Sequence, residues 1–148
     1  MQADNATILL VEDRPADVML IRRAFTKARI ANPIQVVDNG EDAIAYLSGM
    51  GDFSNRDTHP LPALLLLDLK LPRKSGLEVL QWLRAQPEIG RLPVVVLTSS
   101  KETSDVNRAY ELGANSYLLK PVTFESLLDM MKTLHVYWII LSELPRLE

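Results

Sequence analysis

The sequence predicts an α/β protein built on a doubly wound, five-stranded parallel sheet with five helices. Five short runs, at 7–11, 34–38, 63–68, 93–97 and 116–119, read as strands, and the central one lacks the alternation of a half-exposed strand and so reads as covered on both faces, a pattern that 7–11 repeats and 93–97 shares as a buried run. Stretches with apolar residues at helical spacing separate them, and such β-α alternation builds parallel sheets through right-handed crossovers. The runs also end in polar residues, and in open sheets of this class the carboxyl ends of the strands line the ligand crevice.

Taken in order, Thr7-Ile8-Leu9-Leu10-Val11 is closed by two acids, Glu12 and Asp13. Pro15 suits a first helical turn, and Val18, Ile21, Phe25 and Ala28 recur at helical spacing up to Ala31-Asn32-Pro33. Ile34-Gln35-Val36-Val37-Asp38 is a short second strand. Asn39 can cap a second helix that carries Ala43, Ile44 and Leu47 and stops near Gly49. Residues 51–62 are polar and punctuated by Gly and Pro, a surface loop longer than usual for an αβ connection. The central run then follows, Ala63-Leu64-Leu65-Leu66-Leu67, ending in Asp68. Leu77, Leu80 and Leu83 line a third helix that ends around Pro87. Pro93-Val94-Val95-Val96-Leu97 is closed by Thr98, Ser99 and Ser100. Val106, Ala109 and Tyr110 mark a fourth helix with Gly113 at C′. Ser116-Tyr117-Leu118-Leu119 ends in Lys120-Pro121, and Thr123 caps a fifth helix with Phe124, Leu127, Leu128, Met131, Leu134, Trp138 and Leu141 on one face.

At 148 residues the chain is expected to form a single domain over 1–148, with a core of about 6–134 and the last helix extended over 124–143. It has no cysteine, so disulfides and thiolate metal sites are excluded. A net charge of −3, with Lys and Arg scattered among acids, argues against a nucleic-acid surface. The apolar runs fall short of the roughly 20 residues a membrane helix needs, and no basic leader opens the chain. A soluble, cytoplasmic protein is expected.

At one sheet edge such a fold gathers Glu12, Asp13, Asp68, Thr98 and Lys120. Carboxylates brought together repel one another unless a cation sits among them. Mg²⁺ suits this set, because it takes hard oxygen ligands, keeps several waters and is held by one or two carboxylates plus a phosphate. A carboxylate such as Asp68 can act as nucleophile and form an aspartyl phosphate when a metal and a second cation neutralise the incoming group. Lys120 supplies a compact positive charge, and the Thr98 hydroxyl can donate to a phosphoryl oxygen. Each residue alone has a plainer reading: Glu12 and Asp13 as cap and dipole partner of helix one, Lys120 as a solvated strand end, Thr98 as a helix-four cap. Their joint placement at four strand ends favours the site. The Lys120-Pro121 pair also admits a cis bond that would fix the lysine's aim.

These residues resemble the receiver domains of two-component response regulators, over roughly Thr7 to the end of helix five. The pattern is Glu12-Asp13, Asp68 with Pro72 and Gly76, Thr98, and Gly113-Ala114 followed by Lys120-Pro121. The resemblance implies a flavodoxin-like receiver fold and a Mg²⁺-dependent phosphorelay in which Asp68 accepts a phosphoryl group from a histidine kinase. It implies that Glu12, Asp13, Asp68 and the backbone carbonyl of Lys70 hold the ion. It also implies that Thr98 and Tyr117 form a switch pair, the hydroxyl moving onto the phosphoryl group as the ring turns inward. From the residues alone, Tyr117 is an aromatic on a strand. A protein of this kind is no metabolic enzyme and catalyses only its own phosphorylation and dephosphorylation.

The long loop before the third strand, the 68–76 segment and the lack of an output domain resemble the cyanobacterial phytochrome-associated regulators. A stand-alone protein served by a phytochrome-type histidine kinase is therefore expected. Lys70 stands where many family members have a small polar residue, and Ser99 where Ala or Gly is common; both flank the path of attacking water, so the hydrolysis rate does not carry over. A haloacid-dehalogenase-type phosphatase also uses a strand-end Asp and Mg²⁺, but wants a second Asp where Lys70 stands and uses the first strand. A flavodoxin-like cofactor binder shares the fold, yet Glu12-Asp13-Arg14-Pro15 is no phosphate loop. A non-phosphorylated interaction module is opposed by the intact Asp68 and Lys120.

Val136, Tyr137, Ile139 and Ile140 make the second half of helix five apolar all round, more than a monomer's surface helix requires. A homodimer through helix five and the tail is expected, against a tail folded back as core or a kinase-docking surface.

Overall fold

The computed structural model describes residues 6–99 and 103–134. Strands β1 (Ile8–Val11), β2 (Ile34–Val37), β3 (Leu64–Asp68), β4 (Val94–Thr98) and β5 (Ser116–Leu119) alternate with helices α1 (Pro15–Lys27), α2 (Gly40–Ser48), α3 (Gly76–Arg84), α4 (Thr103–Glu111) and α5 (Phe124–Leu134). The strands form one parallel sheet in the order β2-β1-β3-β4-β5. This is the expected fold. The chain's direction of winding reverses between β1 and β3, which opens the crevice at their carboxyl ends.

Successive strand side chains point to opposite faces, so each central strand feeds two cores. Ile8, Leu10, Leu64, Leu66, Val95 and Leu97 pack with Ile21 and Phe25 of α1 and with Leu127 and Met130 of α5. Leu9, Val11, Leu65, Leu67, Val94 and Val96 pack with Leu47 of α2, Leu80 and Leu83 of α3 and Ala109 of α4. These strand residues are at most 1% exposed, and burying each is worth ~1.5–3 kcal/mol. Two-sided burial is the reason the runs of β1, β3 and β4 show no polar alternation, whereas the edge strands β2 and β5 are only partly covered.

Helix ends follow their local chemistry. Asn39 caps α2 by accepting the Asp42 N–H at 2.8 Å. Thr123 Oγ1 accepts the Ser126 N–H at 3.1 Å ahead of α5. Gly113, at φ +99, closes α4: its N–H donates to Tyr110 O and that of Ala114 to Ala109 O, both as expected of a C′ glycine. Some expected boundaries move. α1 stops at Lys27 rather than near Ala31, because Arg29 takes the left-handed conformation, φ +60, that glycine usually supplies. α3 stops at Arg84 rather than around Pro87, and β2 at Val37, leaving Asp38 exposed. In α5 the buried positions include Met130, which the expected stripe omits, while Phe124 lies half-buried beneath the Lys27 ammonium, 5.0 Å from its ring centre.

The 51–62 loop is more than a surface connection. Arg56 donates to the carbonyls of Tyr46, Leu47 and His59, and the Tyr46 hydroxyl donates to Pro60 O at 2.8 Å, clipping the loop onto α2. The continuation of helix five to 143, with Val136, Tyr137, Ile139 and Ile140, lies outside the described residues.

Candidate functional site

Parallel register assembles the site. Val11 pairs with Leu67, so Glu12 stands beside Asp68; Thr98 pairs with Leu119, so Lys120 follows at the same edge. The Lys120 amide donates to Thr98 O at 2.8 Å. Asp68 thus ends the central strand, between β1, which leads to Glu12 and Asp13, and β4, which ends in Thr98. Glu12, Asp68 and Thr98 are buried at 1%, 4% and 3% exposure, whereas Asp13 is exposed.

The loop beyond Asp68 is held by close approach. The Gly76 N–H donates to Leu69 O at 2.9 Å, and any β-carbon on Gly76 would collide with the Asp68 carbonyl oxygen, so glycine is what lets α3 begin so near the strand end. Ser75 and Glu78 then close a capping box, each side chain accepting the other's N–H. The Lys70 N–H donates to Asp68 Oδ1 at 3.2 Å, and the Lys70 side chain is exposed.

Lys120 is the electrostatic centre. Its Nζ donates to Asp68 Oδ2 at 2.8 Å and to Asp17 Oδ2 at 3.2 Å, and lies 2.6 Å from Glu12 Oε1. Burial favours the neutral amine, but the contacts with Asp68 and Glu12 and their charges outweigh it and hold the ammonium above the ordinary lysine value. Burial pushes the Glu12 carboxyl up to about 7, the neighbouring Asp68 charge adding to the rise against the pull of Lys120 and the Arg14 amide. The solvated-lysine reading of Lys120 does not hold, since its side chain is only 10% exposed. Nor do the acids cap α1: Arg14 occupies the N-cap without a side-chain bond, and Glu12 Oε2 takes its N–H at 3.1 Å. Thr98 ends β4, five residues before the first residue of α4, which does not make it that helix's cap. The Lys120-Pro121 bond is cis.

One oxygen each from Glu12, Asp13 and Asp68 fall within 4.8 Å of one another. Glu12 Oε1 is buried and, despite its nearness to Nζ, receives no donor in hydrogen-bond geometry. A buried carboxylate oxygen without a directed partner, in a group whose negative charge exceeds that of one ammonium, fits a divalent cation with oxygen ligands. Tyr117 points away from this edge: it is 42% exposed and lies edge-on to Tyr110, ring centres 6.3 Å apart.

The residue that sequence reasoning misses is Asp17. An acid in a first helical turn reads as a dipole partner. The signal was the short Glu12-Asp13-Arg14-Pro15-Ala16-Asp17 interval, which returns a third acid to the same edge one turn into α1.

A family model described as the response regulator receiver domain matches residues 8–132. Response regulator Rcp1 of Synechocystis sp. is 38% identical over 138 residues, 93% of this chain and 92% of Rcp1. The Mn²⁺-bound form of Rcp1 superposes with a TM-score of 0.74 at 37% identity, covering 90% of this chain and 94% of that one. The bacteriophytochrome response regulator RtBRR superposes with a TM-score of 0.83 at 44% identity, over 95% and 84% of the two chains. For the phosphorylated cyanobacterial phytochrome response regulator RcpA the TM-score is 0.76 at 35% identity, over 97% and 99%.

Proposed function

The chain belongs to the response regulator receiver family, and on that premise we propose that it is a phosphoacceptor in a phosphorelay, Asp68 taking its phosphoryl group from a phosphohistidine of a partner histidine kinase. Its relation to phytochrome response regulators supports a phytochrome-type kinase as that partner. The observation that carries the reading is the Lys120 ammonium on Asp68 Oδ2, 2.8 Å away at the end of the central strand and beside Glu12 and Asp13.

In the transfer a carboxylate oxygen of Asp68 attacks phosphorus while the P–N bond to the donor imidazole breaks, its electron pair leaving on nitrogen; the product is an acyl phosphate. The Lys70 amide fixes Oδ1 and Lys120 fixes Oδ2, so the carboxylate is oriented before the donor arrives. Lys120, held as an ammonium by its carboxylate neighbours, balances charge on the arriving oxygens. Glu12, Asp13, Asp68 and the Lys70 carbonyl would hold Mg²⁺, which neutralises phosphoryl charge when bound. Thr98 at the end of β4 and the outward Tyr117 ring form the switch pair, the ring turning inward as the hydroxyl engages the phosphoryl group. The protein works in the cytoplasm as a single receiver domain over 1–148, with no chemistry beyond its own phosphorylation and dephosphorylation. It pairs with itself through helix five and Val136, Tyr137, Ile139 and Ile140. Light scattering on wild type and on a Tyr137→Glu, Ile140→Glu double variant tests that pairing: a wild-type monomer at tens of micromolar, or a variant still dimeric, removes it.

For the phosphoacceptor itself, the protein is incubated with Mg²⁺ and acetyl phosphate and its intact mass measured. Wild type gains one phosphoryl group. Equal gain by Asp68→Asn rules the assignment out.

A further inference from the structure

We propose that Asp17 is a positioning residue for phosphoryl transfer, the one carboxylate that keeps Lys120 aimed at Asp68 after the other carboxylates on the lysine have been drawn into other bonds. The proposal rests on the phosphoacceptor reading of Asp68.

An ammonium has three N–H donors and no acceptor. Here three carboxylates surround it: Glu12 Oε1 at 2.6 Å, Asp68 Oδ2 at 2.8 Å and Asp17 Oδ2 at 3.2 Å. Their commitments differ. Glu12 and Asp68 belong to the group of carboxylates that converges as a metal site, and Asp68 is also the group to be esterified; Asp17 is not in that group. A cation on Glu12 and Asp68 draws on the same oxygens that hold Nζ, and acylation of Asp68 removes its charge. Asp17 has neither commitment, so its oxygen stays on the ammonium through both events.

Asp17 is also free of the duty its position suggests. A carboxylate three residues past an N-cap can reach back to the N-cap N–H, as Glu does in a capping box. Here Glu12 Oε2 takes the Arg14 N–H, and Asp17 instead bonds a lysine 103 residues away. α1 is anchored on the core by Ile21, Ala24 and Phe25, and the Asp17 side chain is only 18% exposed, so the carboxylate is presented from a fixed element. Lys120 carries a long flexible stem, and without this third contact its ammonium can swing toward solvent.

The test uses the full chain as wild type, Asp17→Ala, Asp17→Asn and Asp68→Asn. Phosphorylation by acetyl phosphate in saturating Mg²⁺ is followed by intact mass, and acetic anhydride labelling of Lys120 in the same Mg²⁺ buffer without phosphodonor is followed by peptide mass. Asp17→Ala is expected to slow phosphorylation about tenfold, the scale of a modest misplacement of a catalytic group, and to raise labelling of Lys120. Asp17→Asn keeps an oxygen of the same reach and should stay within about threefold of wild type, on the scale of one hydrogen bond's weakening. An Asp17→Ala protein phosphorylated at the wild-type rate overturns the proposal. A slowed variant whose Lys120 labels no faster overturns it too, because the ammonium has not been released, and so does a loss in Asp17→Asn equal to that in Asp17→Ala. If wild type gains no phosphoryl mass, or Asp68→Asn gains it equally, the phosphoacceptor reading fails instead, while the labelling still reports whether Asp17 holds the lysine.

Discussion

Two half-buried cations sit at opposite edges of the same sheet, and their surroundings differ in kind. At the carboxyl edge, Lys120 is ringed by Glu12, Asp17 and Asp68. At the amino edge, the guanidinium of Arg84 donates to the carbonyls of Gly90 at 2.9 Å, Leu92 at 2.8 Å and Gly113 at 2.7 Å, and to the Asn115 side-chain oxygen at 3.2 Å. Neutral oxygens satisfy a cation's donors without adding charge. Arg84 therefore ties the end of α3 to the approaches of β4 and β5 and leaves nothing to react; burial lowers its pKa from the ordinary arginine value. Carboxylates also satisfy donors, but around Lys120 they outnumber the positive charge. That excess is relieved only by a proton or a further cation, which makes the carboxyl edge a binding site and the amino edge a clasp.

Removing each cation separates the two roles. Lys120→Met should have the largest effect: phosphorylation by acetyl phosphate falls about a hundredfold, as when one preorganised donor to a developing charge is removed. In divalent-free buffer near pH 8 the same variant should also lose ~3–5 kcal/mol in urea unfolding, because two buried carboxylates are left facing each other. Arg84→Ala should come next. Several carbonyls lose their donor, costing ~2–3 kcal/mol by the same assay. Phosphorylation per folded molecule should equal wild type. If Arg84→Ala also lost phosphorylation beyond its unfolded fraction, the two edges would be coupled and the contrast between them would not stand.

The same contrast explains what could be read without coordinates. Glu12, Asp68, Thr98 and Lys120 were legible because each terminates a buried apolar run, and parallel strands of similar length must end together. The caps at Asn39 and Thr123 and the turn at Gly113 were legible because their chemistry is local. Arg84 and Asp17 were not, since their partners lie up to 31 and 103 residues away and a charged residue on a helix reads as solvated until the fold brings a partner to it. The end of α1 was hidden for another reason: Arg29 adopts the conformation that a glycine would have announced. The Ser75–Glu78 capping box has a four-residue signature in the sequence, Ser followed three residues later by Glu, and like the other caps its chemistry is local.

The mildest test concerns protons rather than mutations of the cation. Burial raises Glu12 from 4.5 to about 7. In the unfolded chain this carboxyl titrates near its ordinary value, so between roughly 4.5 and 7 the folded protein binds a proton that the unfolded one has released. The stabilisation is complete below that window and is lost as pH rises through it, at up to ~1.4 kcal/mol per pH unit, and the curve flattens above the folded value. Lys120 does not cancel this trend, since its raised pKa acts only at alkaline pH, above the ordinary lysine value. Urea unfolding in divalent-free buffer from pH 5 to pH 8 should show the decline in wild type and in Arg84→Ala alike, because a guanidinium keeps its charge throughout that range. Glu12→Gln should flatten it. Mg²⁺ should flatten it as well, by offering the ionised carboxylate the cation that the crowded site lacks. A wild-type protein equally stable at pH 5 and pH 8 without divalent ions would mean that Lys120 alone balances Glu12, and the carboxyl edge would then be as neutral in effect as the Arg84 clasp.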